Sequence, residues 1–255
     1  MKPASSSPSS SSSVSWPLVV PLPSGCIVLV PVPDARAAPD DVNRLVQGLP
    51  ELERALCAPW ALRRQATFAA GRLALRDACG RMGFSELGPI PRDDRGAPVL
   101  PTTSGSLPRS IRVSITHKDS VAGALVVTGA DDLVTWGIDL EIDEDRDAPS
   151  TDTLARQILQ DHELRTLPVD DVARRQTVLA RFSWKESLYK ALDPFLRRFI
   201  GFQEVDVTPT NGDDVVFDGG FFEKDGVASA VGVRYRLVDL PDVILTTATV
   251  RRRQA

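Results

Sequence analysis

The chain has 255 residues, 42% hydrophobic and 25% charged, with a formal net charge of −4 and a pI of about 5.3. That length can bury a core as one large domain or two small ones, and the acidic balance excludes a global basic field for nucleic acid or an anionic membrane. Three widely spaced cysteines, Cys26, Cys57 and Cys79, have no metal-ligand spacing and read as thiols of a reducing, cytoplasmic compartment, while two histidines, His117 and His162, are too few for a His-rich metal site.

Residues 1–16 are mostly serine and predict a disordered tail. Residues 17–33 are apolar but broken by five prolines, so no run approaches the roughly 20 residues of a membrane span. The same prolines and the weak basic start at Lys2 argue against a signal peptide cleaved near Ala35–Ala38. Gly25–Val32 predicts an early strand. Residues 51–82 predict one helix, rich in Ala, Leu and Arg and stopped by Gly80 and Gly83. On it Arg64, Phe68 and Arg72 step by four, which leaves the arginines about 80° apart around the axis. Residues 86–110 are rich in Pro, Gly and Ser and predict loop. Ile111–Thr116 predicts a strand interrupted at His117-Lys118-Asp119 and resumed at Val121–Thr128. After a turn at 129–132, Val134–Asp143 alternates cleanly. Its even positions are apolar, and Thr135, Gly137, Asp139, Glu141 and Asp143 share the other face. Helices are predicted over about 152–166 and 171–193, then strands at Glu204–Val207, Val215–Phe217, Val231–Val238 and Val243–Val250. The grammar repeats, helix then strands. It divides the chain at a seam near 133 into a tail (1–16), a first half (17–133) and a second half (134–255).

Chemistry concentrates in a few places. Five lysines stand against 25 arginines, and two of the five, Lys185 and Lys190, fall in the stretch 181–190. A compact ammonium differs from a planar guanidinium, so their use there is pointed. Ser183 is a candidate cap for that helix, and Glu186 and Lys190 sit one turn apart on one face. Asp139 and Glu141 are like charges two residues apart on one strand face. They suit either a hard cation such as Mg²⁺ or a solvent-facing polar edge. Gly137 before them would let a bulky anion approach the backbone. Arg64 and Arg72 suit bidentate phosphate recognition or a solvated helix face. His117 can donate to a phosphate oxygen or be an ordinary histidine. Asp93–Pro98 reads as a turn from which Arg95 could reach a phosphate.

Taken in order, Arg64-x3-Phe68-x2-Gly71-Arg72, Arg95-Gly96-x-Pro98, Ser114-Ile115-Thr116-His117, Trp136-Gly137-Ile138-Asp139-x-Glu141 and Phe182-Ser183-x-Lys185-Glu186-Ser187-x2-Lys190 resemble the Sfp-type 4′-phosphopantetheinyl transferases. The resemblance runs from about residue 60 to 205 and is closest to members that activate siderophore and polyketide synthases. It departs from the family at Ala97 and Val113. It implies an α+β fold, a pseudo-dimer of two similar halves with coenzyme A in the cleft between them. It implies transfer of the 4′-phosphopantetheine arm to a serine of an apo acyl or peptidyl carrier of polyketide, nonribosomal peptide or fatty-acid synthases. Asp139, Glu141 and Glu186 would hold Mg²⁺ or Mn²⁺, and Glu186 and Lys190 would be catalytic. Coenzyme A would be held by Arg64, Arg72, Arg95, Gly96, Pro98, Thr116, His117, Lys185 and Lys190. Phe195–Phe199 would be a carrier contact or a core-packing helix end. No nucleic acid, membrane or second copy is called for. The rival readings are another Mg²⁺-dependent phosphoryl or nucleotidyl transferase, for which no Gly-x4-Gly-Lys-Ser/Thr loop is present, and a degenerate coenzyme A- or carrier-binding module.

Overall fold

The structure, a computed structural model, describes residues 14–101, 110–129, 131–143, 150–210 and 212–254. The tail expected over 1–16 lies outside them except at 14–16, where Trp16 packs on an apolar layer of the core instead of trailing free.

The proline-broken stretch folds as a hairpin, β1 (Leu18–Leu22) and β2 (Gly25–Pro31). Pro21 is tolerated because β1 is an edge strand. With β3 (Arg112–Lys118) and β4 (Val121–Val127) these make an antiparallel sheet ordered β1-β2-β4-β3. The expected break at His117 does not occur: β3 runs through Lys118 and turns at Asp119, whose φ is 41°. Three helices accompany the sheet, α1 (Pro39–Gln47), α2 (Glu51–Cys57) and α3 (Leu62–Arg81). The single helix expected over 51–82 is two, because Pro59 disfavours helical backbone just before it and cannot supply an N–H. α1 was not expected, although Pro39 at its start and Asp40 and Asp41 in its first turn are helix-start signals. Small residues of α3, Ala66, Ala70 and Ala74, are fully buried in the core that it shares with β2 and β4.

The second half holds β5 (Val134–Ile142), β6 (Val205–Pro209), β7 (Asp214–Gly219), β8 (Val227–Tyr235) and β9 (Val243–Arg252), in the order β5-β9-β8-β7-β6. Its helices are α4 (Thr151–Ile158), α5 (Asp161–Arg165), α6 (Asp171–Leu196) and the short α7 (Phe221–Lys224). The helix expected over 152–166 breaks at 159–160, where Gln160 and Glu163 form a capping box that restarts it as α5. α6 is capped by Asp170, whose carboxylate accepts from Ala173 N at 2.8 Å. Ser183 is therefore no cap. It lies buried in mid-helix.

β3 and β5 are edge strands of the two sheets, and they lie against each other. Arg112 Nε donates to Val134 O at 3.1 Å, Ile138 N to Ser114 Oγ at 3.3 Å, and Thr116 Oγ1 to Asp139 Oδ1 at 3.2 Å. Residue numbers rise together on both strands, so they run parallel, joined by side chains without a backbone ladder. Each edge covers the other. Beneath them Ile27, Leu29 and Leu125 of the first half meet Ile138, Leu140 and Leu245 of the second in one apolar layer. The fold is thus α+β, two halves about a shared seam. Because of that seam the polar face of β5 is not the solvent edge that alternation allowed: Asp139 and Glu141 are 5% and 6% exposed.

Candidate active site

α6 lies across β5 on this polar face. A Cβ on Gly137 would fall 1.9 Å from Ser187 O and 2.8 Å from Ala191 N, so only glycine lets helix and strand approach this closely. This corrects the expectation that Gly137 makes room for an anion: its space is taken by the helix. The close approach brings Lys190 onto Asp139, with Nζ to Oδ1 at 2.7 Å, and onto Ile138 O at 2.9 Å. Asp139 also accepts from Ser183 Oγ at 2.9 Å and from Thr116. Glu141 is paired with Lys118 at 2.8 Å.

A cleft of about 590 Å³ opens between the halves beside this cluster. Of the residues singled out in the sequence, Arg64, Arg72, Arg95, Gly96, Pro98, His117, Glu186 and Lys190 line it. Thr116, Asp139, Glu141 and Lys185 do not. Burial raises the pKa of Glu186; Lys190 opposes the rise and Asp139 adds to it. Burial likewise raises Glu141, against its bond to Lys118. Shielding by the cleft wall, and then Lys190, lower the pKa of His117, so its imidazole is neutral at pH 7 and donates through one nitrogen. Arg72 is 3% exposed, and burial pushes its guanidinium down to about 10. Its Nε has no hydrogen-bond partner among the described residues, and it lies over the Phe68 ring at 4.9 Å. A buried guanidinium with an open N–H suits an anion as its partner.

Two family profiles match this architecture. One described as 4′-phosphopantetheinyl transferase N-terminal domain matches residues 52–127, and one described as 4′-phosphopantetheinyl transferase superfamily matches residues 135–231. Together they cover well over half of the chain and meet at the seam. The chain belongs to the 4′-phosphopantetheinyl transferase superfamily. No curated protein matches it. Membership supports phosphopantetheinyl transfer in general, with carrier proteins as the class of partner.

Several expectations for this transferase need correction. Lys185 was expected to bind coenzyme A. Its ammonium is instead buried among Glu163 Oε2 (2.7 Å), Ile158 O (2.8 Å) and Phe202 O (3.1 Å), which use all three of its N–H groups. One residue from Glu186 is about 100° of helix rotation, and that turns Lys185 away from the cleft. Arg95 lines the cleft but its Nε donates to Asp193 at 2.6 Å and its Nη2 to Tyr189 Oη at 3.0 Å. Thr116 sits behind the cleft, bonded to Asp139 and accepting from Lys190 at 3.3 Å. Lys118 lies closer to the carboxylates than its place beside His117 suggested. Among the described residues no three His, Cys, Asp or Glu side chains are grouped tightly enough to hold a metal ion; the lysine ammoniums carry the counter-charge of Asp139 and Glu141. In the 195–199 patch, Phe195 and Leu196 pack on the core of the second half, Arg197 and Arg198 are ion-paired, and Phe199 is exposed.

Sequence reasoning missed Ser183 as a partner of Asp139. It also missed Trp60 and Arg92, whose guanidinium lies 5.6 Å over the Trp60 ring. Arg92 stands three residues before Arg95 in the same loop, a position where only the folded turn tells which arginine faces the cleft.

Proposed function

We propose that the protein is an Sfp-type enzyme that moves the 4′-phosphopantetheine arm of coenzyme A onto a serine hydroxyl of an apo acyl or peptidyl carrier, releasing adenosine 3′,5′-bisphosphate. The carriers would belong to polyketide, nonribosomal peptide or fatty-acid synthases, with the enzyme acting as a cytoplasmic monomer. The observation that carries this reading is the cleft between the halves. The guanidiniums of Arg64 and Arg72, which have no carboxylate partner among the described residues, line one side, and Glu186, with a raised pKa and next to Lys190, stands on the other.

In this reading Arg64, Arg72 and His117 bind the phosphates of the adenosine end and so fix the diphosphate beside Lys190. Glu186 accepts the proton of the carrier serine. The serine oxygen then bonds to the phosphorus bearing the pantetheine arm, and the bond from that phosphorus to the oxygen of the adenosine-side phosphate breaks. Lys190 holds the negative charge that develops on the departing phosphate, for which Asp139 and Ile138 O position its ammonium.

The donor set suits a hard divalent ion by chemistry, while in the structure Asp139 accepts from Lys190, Thr116 and Ser183, Glu141 is paired with Lys118, and the three carboxylates are not grouped about one point. Asp139, Glu141 and Glu186 offer only carboxylate oxygens, and Asp139 raises the pKa of both glutamates, a repulsion that added positive charge relieves. Mg²⁺ or Mn²⁺ held by Asp139 and Glu186, with Glu141 directly or through water, would neutralise diphosphate charge when bound.

The test is incubation with coenzyme A, Mg²⁺ and an apo carrier, followed by mass spectrometry of the carrier. Addition of phosphopantetheine is expected, and Asp139→Ala and Glu186→Gln should each abolish it. Turnover by Glu186→Gln near the wild-type rate would remove the assigned base. Coenzyme A binding without transfer would mark a binding module, and nucleoside triphosphate turnover another transferase.

A further inference from the structure

The loop between α3 and β3 is rooted in the first half and ends on the second. At its root Ile90 is fully buried, and Ile90 N donates to Glu53 Oε1 at 2.6 Å. Glu53 is ion-paired with Arg76 of α3, which also donates to Leu87 O at 2.8 Å and Gly88 O at 3.1 Å. Residues 91–99 then form a tight turn that carries its own hydrogen bonds. Val99 N donates to Pro91 O at 3.0 Å and Asp93 N to Ala97 O at 2.9 Å. The Asp93 carboxylate accepts from Arg95 N at 3.0 Å and Ala97 N at 2.8 Å, and Gly96, with φ of 92°, supplies the left-handed backbone that the turn needs. The turn is therefore stiff by its own bonding. At its tip Asp94 and Arg95 both reach α6.

Glu186, Lys190 and Asp193 of α6 all line the cleft. Spacings of four and three put them on one helix face, with Asp193 about 10 Å along the axis from Glu186 and about 4.5 Å from Lys190. Asp193 Oδ1 accepts from Arg95 Nε at 2.6 Å, and Tyr189 Oη accepts from Arg95 Nη2 at 3.0 Å. Asp94 accepts from Arg197 at 2.8 and 2.6 Å. That second pair is open to water, its side chains 55% and 71% exposed, and such pairs contribute little. The Arg95–Asp193 pair is shielded, at 27% and 15%, and it is charge-assisted, so it is the stronger tie. Gly96, Ala97 and Pro98 of the same turn line the cleft. A contact from the first half's wall to the helix that bears Glu186 and Lys190 thus spans the two halves.

We propose that Asp193 is a positioning residue: by holding Arg95 it fixes the turn 91–99 against α6 and so sets the width of the coenzyme cleft, without touching the coenzyme or the reacting atoms. This rests on reading the cleft as a coenzyme A site. The turn is stiff and anchored at its root, so one contact at the tip decides where its wall stands. Without that contact the wall swings about its root, and coenzyme binding also has to order it. The bonds that place Lys190, to Asp139 and Ile138 O, do not involve the turn, so the transfer step itself is spared.

The test measures coenzyme A binding by calorimetry, and kcat and KM for coenzyme A in transfer to an apo carrier, with unfolding temperatures recorded alongside. The full chain is compared as wild type, Asp193→Asn, Asp193→Ala, Arg95→Ala, the double variant Asp193→Ala with Arg95→Ala, and the exchanged pair Asp193→Arg with Arg95→Asp. Asp193→Ala should weaken coenzyme A binding and raise its KM about tenfold, the scale of one charge-assisted hydrogen bond, with kcat within about twofold of wild type. Asp193→Asn should lose less. Arg95→Ala should match Asp193→Ala, the double variant should be no worse than either, and the exchanged pair should recover part of the loss. If Arg95→Ala weakens binding while Asp193→Ala leaves it unchanged or tightens it, Arg95 contacts the coenzyme itself and the proposal is overturned. A lower unfolding temperature at unchanged binding, or a loss in kcat at unchanged KM, overturns it as well. A wild-type chain that binds no coenzyme A overturns the reading of the cleft, and the proposal with it.

Discussion

Glu186 combines two properties that usually conflict. It is shielded enough to raise its pKa, and it faces a cleft where a hydroxyl can approach. The raised value has a sign that can be checked. In the window above the ordinary carboxylate value of 4.5, the folded chain holds a proton that the unfolded chain has lost. Stability therefore falls as pH rises through that window, and the loss persists at neutral pH. Glu186→Gln is expected to unfold at a higher temperature than wild type at pH 7, with the gap closing below pH 4.5, while transfer is lost. That is the trade expected when a group is kept for chemistry at a cost in stability. In the wild-type enzyme the acid limb of the kcat/KM profile should lie above the usual carboxylate range. A limb at the ordinary value would argue against Glu186 as the base. Lys190 and Asp139 were legible as residue types. Their 2.7 Å contact was not, because it depends on the approach permitted at Gly137.

At the scale of elements, α6 decides the site. Its 26 residues put Lys185 and Glu186 on different sides of one axis. Lys185 clamps α6 to α5 through Glu163, both about 1% exposed at the side chain. Glu163 Oε1 also accepts from Val207 N at 3.3 Å, which ties in β6. Burial lowers the pKa of Lys185 and the bond to Glu163 opposes that, so the ammonium depends on its partner. Removing one member leaves an uncompensated buried charge, and Lys185→Met should destabilise the fold by about 3 kcal/mol or more in urea denaturation. A substitution without effect on the unfolding midpoint would show that the pair does not hold the helix. Had Lys185 bound the coenzyme instead, the same change would raise the KM for coenzyme A and leave stability alone.

For the whole molecule, the seam is both structural and functional. The layer of Ile27, Leu29 and Leu125 against Ile138, Leu140 and Leu245 belongs to neither half alone, and the cleft draws on both. The two halves should therefore unfold in one cooperative transition by calorimetry, with the van't Hoff and calorimetric enthalpies equal. Two separated transitions would mean that the layer does not couple them.

Much of this architecture was legible in the chain itself. Period-two alternation marked β5, a run rich in Ala, Leu and Arg stopped by glycines marked α3, a stretch free of Gly and Pro as far as Pro194 marked α6, and the repeated order of helix then strands marked a division near 133. Local signals failed where a proline had two readings, as at Pro21 inside an edge strand and Pro59 between two helices. They failed again where a polar face had two possible surroundings. Alternation along β5 says that Asp139 and Glu141 share a side. Whether that side meets water or α6 is decided by elements some fifty residues away. Likewise spacing shows that Arg92 and Arg95 share a turn, but not which one α6 claims. Backbone periodicity is a local property and is written in the sequence. Burial, ion pairing and pKa depend on which distant groups arrive at the same place, and only the folded chain brings them together.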